Sequence, residues 1–156
     1  MVQYIIAVML SVAHAATGAL IASKLPHPLL YIPLAIGAHY LEDWIPHWDV
    51  GTGLTNGNRT KRTAFILEIF DLILTVAVIY YFWQHTQTTL QTDIWVGALA
   101  GLTPDLLGTP KIFLGWKIKL LEPLNKFHES FHHSIPNIAM GLLPQVILLG
   151  VIWLLR

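Results

Sequence analysis

The sequence contains no cysteine and carries little charge. Without cysteine, its 156 residues cannot form disulfides, iron–sulfur clusters or thiolate metal sites, and only His, Asp and Glu remain as strong metal ligands. Charged residues make up 12% of the chain, about half the fraction of a typical soluble domain, whereas 54% of the residues are hydrophobic. This composition predicts a single membrane-embedded domain, residues 1–156.

An excess of charge of one sign is also missing. Nine Lys and Arg residues balance nine Asp and Glu residues, so the formal net charge is zero. A nucleic-acid-binding domain needs a basic surface, and we therefore expect no nucleic-acid partner. Histidine, in contrast, is abundant, with eight residues. The sequence gives no indication of the oligomeric state.

Long apolar stretches predict an all-α, polytopic helical bundle with about five membrane helices. A bilayer core ~30 Å thick requires about 20 apolar residues of helix. The predicted spans are Val2–Leu25, Leu29–Trp48, Thr63–Trp83, the shorter Ile94–Leu107, and Ile135–Leu155. Over Gly108–Pro123, lysines interrupt the apolar residues, and this mixture predicts one amphipathic helix lying in the membrane interface.

The distribution of Lys and Arg predicts the orientation in the membrane. Basic residues concentrate in cytoplasmic loops. Seven of them fall on the side of the N-terminus and two on the opposite side. The seven are Arg59, Lys61, Arg62, Lys111, Lys117, Lys119 and Lys126, and the two are Lys24 and Arg156. We therefore expect a protein of the prokaryotic inner membrane, with its N-terminus facing the cytoplasm.

Ionisable residues recur inside the predicted spans, where each costs a few kcal/mol unless it is paired or functional. His39, Asp43 and His47 are spaced four residues apart, which places them on one face of the second helix. Further candidates fall on the same side of the membrane or slightly deeper, namely His14, Glu68, Asp71, Asp105, His128 and His132. Because no comparable number of Lys or Arg accompanies them, we predict two bound zinc ions, with manganese as the alternative metal. Either Asp43 or Asp105 would bridge the two ions.

Structural roles are the alternative for several of these residues. His14 can form an ordinary hydrogen bond between packed helices. Asp105 can simply occupy a turn at the end of a helix. Glu68 and Asp71 can pair with the basic residues that precede them at the interface.

The segment His39-Tyr40-Leu41-Glu42-Asp43 resembles the His-Tyr-Leu-Gly-Asp signature of the zinc-dependent phospholipase C and single-strand nuclease superfamily. The resemblance implies that His39 and Asp43 ligate zinc and that Asp43 bridges two ions. In that superfamily another His stands six residues after the Asp. Here His47 stands four residues after Asp43 and Asp49 stands six after it, so either residue is a candidate for the next ligand.

Other motifs resemble those of the LexA-regulated, inner-membrane metal-dependent hydrolases. Leu102-Thr103-Pro104-Asp105 is similar to their Leu-Pro-Asp turn, and the segment 128–134 is similar to their His-Arg-Gly-x-Thr-His-Ser motif. The segment 38–43 is similar to their Ser-His-x-x-x-Asp helix, and His14 with Gly18 to their His-x-x-x-Gly. This resemblance implies a helical membrane hydrolase.

Together these patterns favour a metal-dependent hydrolase that uses metal-activated water to cleave a phosphoester of a lipid or lipid-linked substrate. The expected partners are the lipid bilayer and this substrate. The candidate catalytic carboxylates are Asp43, Glu68 and Asp105. The candidates for binding the substrate phosphate are Arg59, Lys61, Arg62 and His133. An ion or metal transporter is the alternative, because it would also place His and Asp inside the membrane.

Overall fold

The computed structural model describes residues 9–156 as an all-α protein, which confirms the predicted class for this part of the chain. The helices are α1 (Ser11–Lys24), α2 (Pro28–Asp43), α3 (Lys61–Ile79), α4 (Thr92–Thr109), α5 (Glu122–Phe131) and α6 (Ile138–Leu155). The π-helical turns Tyr80–Gln84 and Pro110–Leu114 extend α3 and α4 at their C-terminal ends. Residues 2–8 of the first predicted span lie outside the described residues.

Helix α1 lies at the centre of the fold and packs against α2, α3, α4 and α6. It is rich in alanine, and Ala15, Ala16 and Ala19 are completely buried. Small side chains of this kind allow neighbouring helix backbones to approach closely. The composition of α1 therefore explains why four helices can surround it.

Glycines bring α1 and α4 into backbone contact. A Cβ atom on Gly18 would collide with the carbonyl oxygen of Gly97, and a Cβ atom on Gly101 would collide with that of His14. No other residue type fits at such a crossing. This contact fixes α4 against α1 and thereby sets the position of Asp105, one turn after Gly101, relative to His14.

Within the described residues, two helices are long and apolar enough to cross a membrane, Lys61–Gln84 and Ile138–Leu155. Only 17% of the apolar window of each helix is buried, and Phe70 and Leu154 are 66% and 80% exposed. The core helix of a soluble protein would be mostly buried, so this exposure favours a lipid environment. The two helices correspond to the third and fifth predicted spans. The other three spans of the predicted five-helix bundle stay predictions.

The prediction that His47 lies on the helix of His39 and Asp43 is wrong. Helix α2 ends at Asp43, and Trp44 is its C-terminal cap. Pro46 follows shortly, and it disfavours a further helical turn because it lacks the backbone N–H and its ring clashes with the preceding turn. His47 therefore lies in the loop after α2.

The predicted single interfacial helix Gly108–Pro123 is also wrong. Gly115 has a φ of +70°, a left-handed conformation that ends the right-handed helical turn before it. Residues 115–118 have no regular structure. The next helix, α5, begins at Glu122, and Pro123 occupies its first turn.

The contact between α1 and α4 predicts how glycine replacements affect stability. Gly18→Ala should destabilise the fold by about 1–3 kcal/mol, because the new methyl group overpacks a backbone contact. Gly37→Ala is the matched control, since a Cβ atom on Gly37 meets nothing within 4 Å. Alanine is the better helix former, so the control should be neutral or stabilising by up to ~1 kcal/mol. Thermal unfolding midpoints in detergent measure both effects, and equal midpoints for the two variants would contradict the close contact.

Candidate metal centre

Asp43, the last residue of α2, lies at the centre of a buried cluster of histidines. Its side chain is 0% exposed. Helix α2 places His39 one turn before it, and α1 contributes His14. His128 on α5 and His132 just after α5 complete the cluster. The structure thus brings together five predicted site residues from separate segments of the chain.

A first group of potential ligands consists of His39, Asp43, Asp105 and His128, and one ligand atom from each lies within 4.8 Å of the others. Asp43 Oδ2 lies 2.7 Å from His128 Nε2 and 3.2 Å from His39 Nε2. Asp105 Oδ1 lies 3.4 Å from His128 Nε2 and 3.5 Å from His39 Nε2. Two carboxylates and two imidazoles form a donor set that suits zinc.

A second group consists of Asp43, His47 and His132. The other oxygen of Asp43, Oδ1, lies 3.6 Å from His132 Nε2. It also lies 3.3 Å from Nε2 of His14. The two carboxylate oxygens of Asp43 therefore face two different groups of side chains that could hold a metal ion.

Backbone pairing between two loops positions the second group. The N–H of His47 donates to the carbonyl of His133 at 3.1 Å, and the N–H of Ile135 donates to the carbonyl of His47 at 2.8 Å. The N–H of His133 donates to the carbonyl of Asp43 at 3.1 Å. These bonds tie the loop after α2 to the segment after α5, and they hold the imidazoles of His47 and His132 with ring centroids 4.6 Å apart.

Hydrogen bonds determine which ring nitrogen of three histidines is free. Nδ1 of each of His14, His39 and His47 donates to an oxygen 2.7 Å away. The acceptors are, in that order, Glu42 Oε2, the Gly101 carbonyl and the Ile45 carbonyl. In a neutral ring the lone pair then lies on Nε2, the atom that each histidine presents to the cluster. Histidines that ligate a metal are held in this way, with the second nitrogen bound to an oxygen.

Several buried polar atoms of the cluster have no hydrogen-bond partner within residues 9–156. They are Nε2 of His14 and His47, Oδ1 of Asp43, both carboxylate oxygens of Asp105 and both ring nitrogens of His132. Each unsatisfied buried group costs ~1–3 kcal/mol. A divalent cation accepts electron pairs from imidazole nitrogens and carboxylate oxygens alike, so the residues present fit a zinc site.

Burial keeps the imidazoles of the second group neutral. It lowers the pKa of His47 and holds the pKa of His132 well below the usual value of a histidine, because desolvation disfavours the charged ring. Both residues lie in loops outside the helices. Neutral imidazole is the form that binds a metal.

Glu42 belongs to the centre, although the sequence pattern assigned it no role. It is 6% exposed, binds the ring of His14 and accepts a short hydrogen bond from the hydroxyl of Thr17. Glu42 lies about 100° around the helix from Asp43, so it falls outside the face that His39 and Asp43 share. Only its charge marks it as a candidate site residue in the sequence, because a carboxylate inside an apolar span requires a partner.

Glu68 and Asp71 lie beside the start of α1 and do not belong to either group of potential ligands. Asp71 accepts hydrogen bonds from the N–H groups of Ser11 at 2.6 Å and Val12 at 3.4 Å. It therefore caps the first turn of α1. Glu68 Oε1 accepts a hydrogen bond from the hydroxyl of Ser11 at 2.9 Å.

Glu68 and Asp105 also line one small cavity. Its volume is about 20 Å³, which is enough for about one water molecule. The other residues that line the cavity are Val50, Gly51, Leu54, Thr109, Ile112 and Phe113. A water molecule in this cavity would lie between a carboxylate of the first group and a carboxylate of α3.

Asp49 lies next to His47 but outside the second group. Its carboxylate accepts hydrogen bonds from the N–H of Thr52 at 2.7 Å and from the hydroxyl of Thr52 at 2.9 Å. Asp49 Oδ2 lies 3.8 Å from His47 Nε2. Of the two candidates for the next ligand, the geometry favours His47.

The residues predicted to bind phosphate are not brought into the cluster. Arg59 donates to two carbonyls of the loop after α2, and its guanidinium lies 4.9 Å from the centroid of the Trp48 ring. Lys61 and Arg62 begin α3 and are exposed, and His133 is exposed as well. A role for these four residues in phosphate binding stays a prediction.

Comparison with known proteins finds no match for this chain among family models, curated proteins or solved structures. The two family resemblances therefore rest on the short motifs themselves.

The neighbouring residues His132 and His133 provide a test of the cluster. The His132 side chain is 2% exposed beside Asp43, whereas His133 is exposed. His132→Ala should weaken zinc binding by at least about 100-fold, since even the loss of a residue that only supports a ligand costs 10–100-fold. His133→Ala should bind zinc like the unmodified protein. Competition with a chromophoric chelator measures both affinities, and an equal effect of the two substitutions would refute this assignment.

Proposed function

We propose that the protein is a membrane-embedded, zinc-dependent hydrolase that cleaves a phosphoester of a lipid or lipid-linked substrate. The observation that carries this proposal is the position of Asp43, whose two carboxylate oxygens face two groups of buried His and Asp side chains. Two zinc ions held by these groups would stabilise charge on a phosphoryl group and lower the pKa of a coordinated water.

In this proposal Glu68 is the general base. It lies on the cavity that it shares with Asp105, and that cavity has room for about one water molecule. The hydroxyl of Ser11 holds one carboxylate oxygen of Glu68 in place. Glu68 would accept the proton of the attacking water, while Asp105 connects this cavity to the first group of ligands.

A lipid substrate is supported by the way in which α5 exposes its side chains. Asn125 and His128 are each only 7% exposed, whereas Leu124 and Phe127 are 48% and 52% exposed. The same helix also exposes Glu122 and Lys126, which form an ion pair. Exposed apolar and charged side chains side by side are typical of a helix at a membrane interface. Because α5 also carries a ligand of the first group, this exposure supports a catalytic centre at the interface.

The distribution of basic residues supports a location for the site. The ligands lie at the end of α2, near the end of α4 and around α5. The sequence predicts that these segments lie on the side of the membrane that is rich in Lys and Arg. The positive-inside rule supports the cytoplasmic face of an inner membrane for this side. The resemblances to zinc-dependent phospholipases and to inner-membrane hydrolases agree with the proposal.

The role proposed for Glu68 predicts how its replacement by glutamine affects the rate of hydrolysis. Glu68→Gln should lower the rate of phosphate release from dioleoyl phosphatidic acid by about 10²- to 10⁴-fold, the contribution of a general base, while the zinc content stays unchanged. Glutamine retains an oxygen that can accept the Ser11 hydrogen bond, so the fold should survive. Asp93→Asn is the matched control, because Asp93 lies in the first turn of α4 and accepts a hydrogen bond from Tyr31.

The assay adds the purified protein to lipid vesicles and measures the release of phosphate or of the phosphorylated headgroup. A Glu68→Gln variant that is fully active would exclude Glu68 as the base. A zinc-loaded protein that hydrolyses no phosphoester at all would contradict the hydrolase proposal and favour transport.

A further inference from the structure

An apolar groove leads from the surface to the first group of ligands. It lies between α2, α4 and α5, and its walls include Ile36, Tyr40, Leu107 and Leu124. His128, whose Nε2 lies 2.7 Å from Asp43, lines the same groove. An apolar ligand in this groove would therefore end beside a candidate metal ligand.

A second pocket of different character adjoins the groove. It is lined by Lys111, Trp116, Lys117, Ile118, Glu122 and Asn125. Asn125 lines both the pocket and the groove and is 7% exposed. It lies one turn before His128 on α5, so the basic pocket, the apolar groove and the ligands meet on one face of this helix.

We propose that the groove and the pocket together bind an anionic phospholipid, with one acyl chain in the groove and the phosphate at the junction beside Asn125 and His128. This proposal rests on the proposed function and specifies its substrate class. The chemistry of the two cavities is complementary to the two parts of such a lipid. Lys117 provides positive charge for the phosphate, whereas the ammonium of Lys111 is already paired with Glu129. The groove offers an apolar wall for the chain.

The size of the groove limits what it can hold. Its volume is about 200 Å³ and that of the basic pocket about 180 Å³, below the 300–1,000 Å³ of a pocket that encloses a whole small molecule. The groove therefore takes the part of one chain nearest the phosphate, and the remainder stays in the bilayer. Leu124 lines the groove, and the ring of Phe127 packs against Tyr40 of its wall. Both side chains are exposed and would contact that remainder.

Native mass spectrometry of the zinc-loaded protein in detergent tests the groove. The probes are dioleoyl phosphatidic acid and dioleoyl phosphatidylcholine, offered together. The protein should retain phosphatidic acid in preference to phosphatidylcholine. Ile36→Trp should weaken retention of phosphatidic acid by at least about tenfold, because an indole fills the groove. Leu34→Trp is the matched control, since Leu34 is 54% exposed on the same helix and does not line the groove.

The basic pocket is tested with Lys117→Gln. Loss of one charged contact to the phosphate should reduce the preference for phosphatidic acid over phosphatidylcholine by about tenfold. Equal retention of phosphatidic acid by Ile36→Trp and Leu34→Trp, or an unmodified protein that retains neither lipid, would overturn the proposal. The readout is retention of lipid by the groove variants, so its failure is separate from that of the hydrolase proposal, which is judged by release of phosphate or of the phosphorylated headgroup.

Discussion

The buried carboxylate of Asp43 is the feature on which the rest of the site depends. Within residues 9–156, its recorded ion pairs are all with histidines, and these come from α1, α2, α5 and the segment after α5. In the neutral tautomer that donates from Nδ1, His14 and His39 each turn a Nε2 lone pair, and not an N–H, towards this carboxylate. A cation between these atoms would resolve the conflict, and this is the physical reason for proposing a metal centre.

Helix packing makes that centre possible. The backbone contact of Gly101 with His14 joins α1 to α4, and the carbonyl of the same glycine accepts the hydrogen bond from His39. One close approach thus positions a histidine from α1, orients a histidine from α2 and places Asp105 one turn further along α4. Asp71 adds to this arrangement from α3, because it caps the first turn of α1. The centre and the core of the bundle are therefore stabilised by the same contacts.

Local patterns in the sequence predicted the all-α class, the i, i+4 pair of His39 and Asp43 and the convergence of His128 and His132 on it. These residues can be identified from the sequence because ionisable side chains are rare in an apolar chain. The predictions from helical periodicity were wrong where the backbone departs from a regular helix. Pro46 removes His47 from the helix face, and Gly115 interrupts the predicted interfacial helix. The partners of Glu42 and Asp71 lie on α1, and contacts of that kind depend on tertiary packing that helical periodicity does not encode.

The most direct test of the account is the zinc content of the purified protein, measured by elemental analysis for the unmodified chain, Asp43→Asn and Asp93→Asn. A bridging Asp43 predicts about two zinc ions per chain in the unmodified protein and in Asp93→Asn, and loss of both ions in Asp43→Asn, because the amide cannot bridge two cations as a carboxylate does. A folded, unmodified protein that contains no metal, and whose thermal stability is insensitive to chelators, would contradict the central claim.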